Sequence, residues 1–190
     1  MGVQVGFLAK LDVVGPRFPG GLFTVIYSLC FSKAISYGIN NFVVPKTFYN
    51  SFCTMIATIC RKAHFNAAHR LHNPHWSQEK NLEVFGKCNS PSFHGHNFDL
   101  EVRIRGEVDP NTGFVMDLAE LGILIRNEIE ERFDHKNLNE DCPEFKDLLP
   151  TTEYFVKVIY DILKPKLAKG QLLHITLHET SKNSAEYGDW

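Results

Sequence analysis

The apolar positions from residue 56 onward alternate with polar positions in a way that is typical of β-strands. The clearest case is Phe98–Arg105, where Phe, Leu, Val and Ile occupy every second position and charged residues occupy the others. This period of two predicts a strand with one buried face. Three further segments predict strands: Ile56–Ala63 leading into Phe65–Arg70, Leu173–Leu177, and Ala185–Tyr187.

Two other segments have the spacing of amphipathic helices. Asp117 followed by Glu120 is suited to cap the first helix. The apolar stripe of that helix consists of Leu118, Leu121, Leu124, Ile125 and Ile129. The second helix begins near Thr152 and ends at Pro165, because proline cannot continue a helix. Residues 73–92 contain Asn-Pro, Gly and Ser-Pro signals, which predict a long loop with a polar helical turn.

The resulting order of elements is β-β-α-α-β-β. Strands that follow one another directly or through a pair of helices indicate an α+β domain rather than alternating parallel βαβ units. We therefore expect a four-stranded antiparallel sheet with two helices covering one of its faces.

The charge of the chain divides it into two unequal parts. Residues 1–54 carry four basic side chains and one acidic side chain, whereas residues 55–190 carry 16 basic and 21 acidic ones. The first part shows no sustained period, and its longest apolar run, Leu22–Phe31, is too short to span a membrane, which takes about 20 residues. We interpret 1–54 as an N-terminal extension without an assigned function, either a leader or an addition upstream of Met55, and 55–190 as the working domain.

The overall composition narrows the classes of function. A net charge of −2 and a pI near 6.5 argue against a protein that coats nucleic acid. The five cysteines are scattered, odd in number and without a CxxC pair, which argues against a disulfide scaffold and for a reducing compartment. The expected location is the cytoplasm, with a cleaved leader in 1–54 left open, and neither a membrane nor a nucleic acid is an expected partner.

Six of the nine histidines lie between His64 and His96. His94 and His96 stand two residues apart, so both side chains project from one face if the strand extends back to them. Two imidazoles on a buried face need partners, and Zn²⁺ binds neutral imidazole nitrogen. A third ligand is required. His69 is the best candidate, and the competing candidates are His64, His72 and His75.

Four more groups could carry chemistry, and each also has a purely structural interpretation. Cys88 could act as a base or nucleophile, or be a buried inert cysteine. Asp134 could orient His135, which could equally be a histidine favoured at a helix C-terminus. Glu179, on the apolar face of its strand, could bind a cationic or amide-like edge, or be a solvated strand end. The segment Thr151–Glu153 also has the form of a helix start.

Taken together, these residues resemble the 6-pyruvoyl tetrahydropterin synthase family over about Ile56 to Tyr187. No single piece is decisive, but eight pieces in the right order are specific. Residues 1–54 have no counterpart in the family pattern. The matching pieces are Phe65–Leu71, Phe85–Asn89, Pro91 with His94–Asn97, Gly106–Gly113, Met116–Leu118, Asp134–Leu138, Thr151–Glu153 and Glu179–Thr180.

The resemblance implies a role for each candidate. His69, His94 and His96 would hold one Zn²⁺ per subunit, and Cys88 would be the proton-abstracting base. Asp134 and His135 would be its relay partners. Glu179 would anchor the pterin ring, and the neighbouring substrate-binding segment would be Thr151, Thr152 and Glu153. The implied fold is the tunnelling fold (T-fold), assembled as a homohexamer around a β-barrel with pterin pockets between subunits.

The implied reaction converts 7,8-dihydroneopterin triphosphate to 6-pyruvoyl-tetrahydropterin with loss of triphosphate, and Mg²⁺ could accompany the triphosphate. The main alternative is the related 6-carboxy-5,6,7,8-tetrahydropterin synthase of queuosine biosynthesis, which uses the same substrate and releases acetaldehyde. The long 73–92 loop favours the pyruvoyl enzyme, and Cys88 argues against the folate-pathway variant, which has glutamate in its place. A non-catalytic zinc-stabilised oligomer and a two-histidine, one-carboxylate iron oxygenase are less favoured alternatives.

Overall fold

Two long antiparallel strands form the centre of the fold. A computed structural model describes residues 55–190, and the predictions made for residues 1–54 lie outside the described residues. Strands β1 (Ile56–His69) and β2 (His94–Glu107) pair along their whole lengths, so that Ile56 faces Glu107 and His69 faces His94. The predicted strand that leads into Phe65–Arg70 is therefore confirmed, and β2 extends back to His94, which is the condition on which His94 and His96 share a face.

The sheet has five strands in the order β3-β1-β2-β4-β5. Strands β4 (Leu172–His178) and β5 (Ser184–Gly188) continue it in antiparallel fashion from β2. The four predicted antiparallel strands are confirmed, and the sheet has a fifth strand that was not predicted: β3 (Lys136–Asn137) pairs in parallel with β1 at Ala67 and Ala68. A two-residue strand has no periodicity to detect, so only its contacts reveal it.

The helices cover one face of this sheet. Helix α2 (Leu118–Ile125) continues through a π-helical segment (Arg126–Glu130) into the short α3 (Glu131–Phe133). Helix α4 (Thr152–Leu163) ends just before Pro165, the residue predicted to end it. A 3₁₀ turn that contains Pro165 follows. The side chain of Asp117 caps α2 by accepting a hydrogen bond from the Ala119 N–H, and Thr151 caps α4 in the same way through Tyr154.

The predicted loop 73–92 contains more regular structure than expected. Residues Gln78–Phe85 form a two-turn helix, α1, and Gly86–Asn89 form a 3₁₀ turn. Ser77 caps α1 through the Lys80 N–H, and Gly86 ends it with a φ of 52°, a conformation that glycine adopts without steric cost. Only Asn81 among its residues is buried, so the helix has no buried apolar stripe. This is why its sequence shows no apolar period.

The core lies between the helices and the sheet. Five aromatic rings form its centre at the histidine end of the strands, with Phe155 of α4 in edge-on contact with Phe65 and Phe98; the five are Phe65, Phe98, Phe133, Phe145 and Phe155. Of the predicted α2 stripe, Leu121, Ile125 and Ile129 are fully buried but Leu118 is exposed, since it occupies the first turn. Among residues 55–190, no helix is long and apolar enough to cross a membrane.

The C-terminal residues are tied to α4 and β4 by one carboxylate. Asp189 accepts hydrogen bonds from the Tyr160 hydroxyl (2.6 Å), the Lys164 ammonium group (2.6 Å) and the Leu173 N–H (2.7 Å). The hydrogen bond to this carboxylate raises the pKa of Tyr160 to about 12, because a phenolate would face a negative charge.

This pairing predicts a pH dependence of stability in the alkaline range. The folded-state pKa of Tyr160 lies above the ordinary value of 10.0. The stability contribution of Tyr160 is therefore complete below pH 10 and is lost as the pH rises towards about 12. Urea unfolding at a series of pH values should show the free energy of unfolding falling over this window, and falling less in Tyr160→Phe. Equal slopes for the two proteins would contradict the assignment.

Candidate metal centre and the residues around it

Three histidines converge where β1 ends and β2 begins. His69 is the last residue of β1, and its pairing partner His94 is the first residue of β2. His96 follows on the same face of β2 as the buried Phe98. Because alternate residues of a strand share a face, the alternation that buries Phe98 also directs His94 and His96 towards the helix-covered side.

The geometry of the three imidazoles suits a divalent metal ion. One ring nitrogen of each histidine can be chosen so that all three lie within 4.8 Å of one another. The Nε2 atoms of His69 and His94 are 3.1 Å apart. Two nitrogens that bind one zinc ion tetrahedrally at 2.0–2.1 Å lie about 3.3 Å apart. The three histidines could therefore hold a metal ion, with a fourth coordination position left for another ligand.

The orientation of His69 is set by a backbone carbonyl. Its Nδ1–H donates to the carbonyl oxygen of Pro150 at 2.7 Å, which leaves Nε2 to face the other two histidines. Histidines that bind metals commonly donate their second ring N–H to such a partner. Burial lowers the pKa of His69, as does the proximity of His94 and His96, so the ring is held in the neutral form that metals bind.

Two ring nitrogens of the cluster have no hydrogen-bond partner among residues 55–190. These are Nδ1 of His94 and Nε2 of His96, and both are buried. A buried nitrogen without a hydrogen bond is costly. For His96 Nε2, which lies on the side of Glu179 and His69, coordination to a metal ion would remove that cost. Burial, and secondarily the proximity of His96, also lowers the pKa of His94.

The structure distinguishes His69 from the other candidate third ligands. His64 is exposed on the opposite face of β1, where it pairs with Asp99. His72 accepts a hydrogen bond from the Asn89 side chain through Nδ1, at 3.0 Å, and His75 is exposed. None of the three belongs to the cluster.

Glu179 lies beside the histidine cluster. Its Oε1 is 3.6 Å from His69 Nε2 and 3.7 Å from His96 Nε2. The hydroxyl group of Thr152 donates a hydrogen bond to the same oxygen at 3.1 Å. The carboxylate is therefore held at the rim of the candidate metal centre by the first turn of α4. Of its predicted neighbours, Thr151 serves as the helix cap and Glu153 is exposed in the first turn.

Cys88 lies in the 3₁₀ turn Gly86–Asn89 and is half-buried. Its carbonyl oxygen accepts a hydrogen bond from the Leu71 N–H at 2.9 Å, which places the turn next to the residues that follow His69. Its sulfur is not one of the converging ligand atoms, which come from His69, His94 and His96.

Asp134 and His135 form a pair at the outer edge of β1. Asp134 Oδ1 accepts the Asn66 N–H, and its Oδ2 is 2.8 Å from His135 Nδ1. The hydrogen bond from Asn66 lowers the pKa of Asp134, and the hydrogen bond and charge of His135 lower it further. His135 has a φ of 58°, a left-handed conformation that non-glycine residues seldom adopt. Its ring is largely exposed, so within one chain the pair faces solvent.

Several residues that hold the site together carry no signal in the sequence. Pro150 acts through its carbonyl oxygen. The backbone N–H of Asn66 donates to Asp134, and the carbonyl oxygen of Asn66 accepts from the His135 N–H. Asn139 binds the peptide of Arg70 with both ends of its amide, at 2.8 and 3.0 Å. Backbone interactions of this kind depend on tertiary contacts, and only the capping role of Thr151 was detectable from its position before a helix.

This α+β fold has its helices on one face of the sheet, and three histidines converge at the ends of the two longest strands. These features define a T-fold protein with a candidate metal centre. Comparisons with known proteins agree. The family model described as 6-pyruvoyl tetrahydropterin synthase matches residues 58–189. The chain belongs to the 6-pyruvoyl tetrahydropterin synthase family, and it is an enzyme of the lyase type.

Individual relatives support this assignment. The chain is 43% identical over 131 residues to human 6-pyruvoyl tetrahydrobiopterin synthase, an alignment that covers 69% of this chain and 90% of the human protein. The solved structure of Caenorhabditis elegans 6-pyruvoyl tetrahydropterin synthase superimposes with a TM-score of 0.68 at 38% identity, covering 73% of this chain and 99% of that one. An Archaeoglobus fulgidus protein provisionally named 6-carboxy-5,6,7,8-tetrahydropterin synthase is 41% identical over 73 residues, covering 38% of this chain and 57% of that protein.

Proposed function

We propose that the enzyme converts 7,8-dihydroneopterin triphosphate to 6-pyruvoyl-tetrahydropterin with release of triphosphate. The observation that carries this proposal is the convergence of His69, His94 and His96 beside Glu179, in a chain whose relatives at about 43% identity are named 6-pyruvoyl tetrahydrobiopterin synthase. A metal-binding group and an acidic anchor at one strand end suit a substrate with a hydroxylated side chain on an amide-like ring.

The three histidines would hold one Zn²⁺ per subunit. When bound, zinc supplies Lewis-acid polarisation of the oxygens of the substrate side chain. Glu179 would bind the pterin ring, because a carboxylate can accept two parallel hydrogen bonds from an amide-like edge. Thr152 would hold that carboxylate in place through the hydrogen bond described above, and Thr151 and Glu153 would complete the wall of the pocket at the start of α4.

The chemistry requires a base and a proton donor but no external oxidant. The Cys88 thiolate would remove a proton from the side-chain carbon, and His135, oriented by Asp134, would return protons in the later steps. Four electrons leave the two hydroxylated carbons as they become carbonyls: two reduce the ring, and two pass to the terminal carbon as its bond to the triphosphate oxygen breaks, so the redox change is internal. Cleavage of the carbon–oxygen bond to the triphosphate completes the pyruvoyl group. Mg²⁺ would accompany the triphosphate rather than occupy a site of its own.

Assembly is part of this proposal. Cys88 lies in a turn beside the residues that follow β1. Asp134 and His135 lie at the edge of β1 that pairs with β3, and His135 is exposed. A pocket formed between copies of the chain, in a homohexamer, would let groups from different subunits act on one substrate. Residues 55–190 would be the synthase domain. The cytoplasmic location and the status of 1–54 as an extension stay predictions.

The proposal is tested by incubating the purified protein with 7,8-dihydroneopterin triphosphate and identifying the pterin product by mass spectrometry. We expect 6-pyruvoyl-tetrahydropterin and free triphosphate. Release of acetaldehyde with a 6-carboxy product would instead support the queuosine-pathway enzyme. Unchanged substrate after saturation of the protein with zinc would overturn both assignments and favour a non-catalytic oligomer.

A further inference from the structure

The turn that carries Cys88 is anchored to the chain just after His69. A four-residue 3₁₀ turn has little stability of its own, so its position depends on contacts with its surroundings. The two carbonyl groups at its end both accept hydrogen bonds from β1's continuation: Cys88 O from the Leu71 N–H and Asn89 O from Arg70 Nε, each at 2.9 Å. Arg70 directly follows the candidate metal ligand His69.

The side chain of Asn89 completes this attachment from the opposite direction. Its amide Nδ2 donates to the carbonyl oxygen of Leu71 at 2.7 Å and to Nδ1 of His72 at 3.0 Å. Asn89 is only 2% exposed, so its side-chain amide is shielded from water. The side-chain amide of Gln78 in α1 donates a hydrogen bond to Oδ1 of Asn89 at 3.3 Å. The amide therefore joins the turn, helix α1 and residues 71–72 at a single point.

We propose that Asn89 is a positioning residue that fixes the Cys88 thiol relative to the three-histidine centre. The inference rests on the proposed function, in which Cys88 is the base. His69 is held by the Pro150 carbonyl, and Asn89 attaches the Cys88 turn to the residues that follow His69, so the metal centre and the thiol are attached to one continuous segment of chain. Removing the amide leaves the metal ligands and the two backbone hydrogen bonds of the turn in place but loosens the turn that carries the thiol.

The decisive variants are Asn89→Ala and Asn89→Asp, made in the full chain. The aspartate keeps the shape of the side chain but lacks the Nδ2 donors, so both variants should behave alike. We expect kcat to fall by about 10- to 100-fold with KM nearly unchanged, because a displacement of about 1 Å can cost two orders of magnitude in rate. Zinc content per chain should stay at the wild-type level. The rate of iodoacetamide alkylation at Cys88, measured on its own peptide by mass spectrometry, should change severalfold.

Asn81 provides a matched control within the same loop. It is also fully buried, and its amide bonds only to its own loop, accepting from the Asn73 N–H at 2.7 Å and donating to the Asn73 and Ser77 carbonyls. Asn81→Ala should lower the melting temperature by a similar amount but leave the Cys88 alkylation rate and kcat near wild type. All measurements are made at a temperature where circular dichroism shows every variant to be folded.

The outcomes separate this inference from the proposed function. Wild-type kcat and wild-type Cys88 alkylation in both Asn89 variants would overturn the positioning role even if Cys88→Ala is inactive. Equal effects of Asn81→Ala and Asn89→Ala would also overturn it, since loop stability would then explain both. If the wild-type protein does not turn over the substrate, the proposed function fails, and the alkylation rates alone still decide whether Asn89 fixes the thiol.

Discussion

Replacing Cys88 with alanine is expected to abolish turnover of 7,8-dihydroneopterin triphosphate while leaving the metal content of the purified protein unchanged. A positioned general base contributes about 10²–10⁴ to a rate, so the loss in kcat should fall in or above that range. The metal should stay because the three converging ligand atoms come from His69, His94 and His96, and none is the Cys88 sulfur. Product formation by mass spectrometry and zinc content by atomic absorption measure the two effects on the same sample.

Cys60→Ala is the matched control for this experiment. Cys60 is a free, exposed cysteine of β1, opposite Arg103 of β2 and far along the strand from His69. Cys142 is less suitable, since it is buried in the core and burial raises the pKa of its thiol to about 11. The control should keep wild-type activity. Loss of zinc in Cys88→Ala would instead identify the sulfur as a ligand and support a closed, structural metal site.

Replacing His94 with alanine is expected to remove most of the bound zinc and, with it, the activity. Two imidazoles cannot supply the three protein ligands that an open zinc site uses. Even residues that merely support metal ligands cost about 10- to 100-fold in affinity when replaced, so loss of a direct ligand should cost at least as much. Equilibrium dialysis against zinc, followed by metal analysis, measures the change without relying on turnover.

His64→Ala is the control for the His94 substitution. His64 lies in β1 and was one of the competing candidates for the third ligand, but it projects from the opposite face and is exposed. Its replacement should leave zinc binding unaltered. Full zinc occupancy in His94→Ala would refute the ligand role, and reduced occupancy in His64→Ala would mean that the site lies elsewhere on β1.

Much of the candidate site follows from local pattern. The alternation around Phe98 was sufficient to place His94 and His96 on the buried face of a strand, and the structure confirms that strand. The caps at Asp117 and Thr151 were readable for the same reason, since a cap depends on the two or three residues next to it. The roles of Cys88, Asp134, His135 and Glu179 came from resemblance to a family and not from local pattern.

The sequence by itself determined which side chains share a face, because that depends only on the periods of strand and helix. Tertiary structure brought His69 to the other two histidines and left the three competing candidates outside the cluster, placed Glu179 beside it and paired β3 with β1. It also brought the Pro150 carbonyl to His69 across 81 residues of chain. Such contacts depend on how the helices pack on the sheet, and neither a two-residue strand nor a backbone oxygen leaves a period in the sequence.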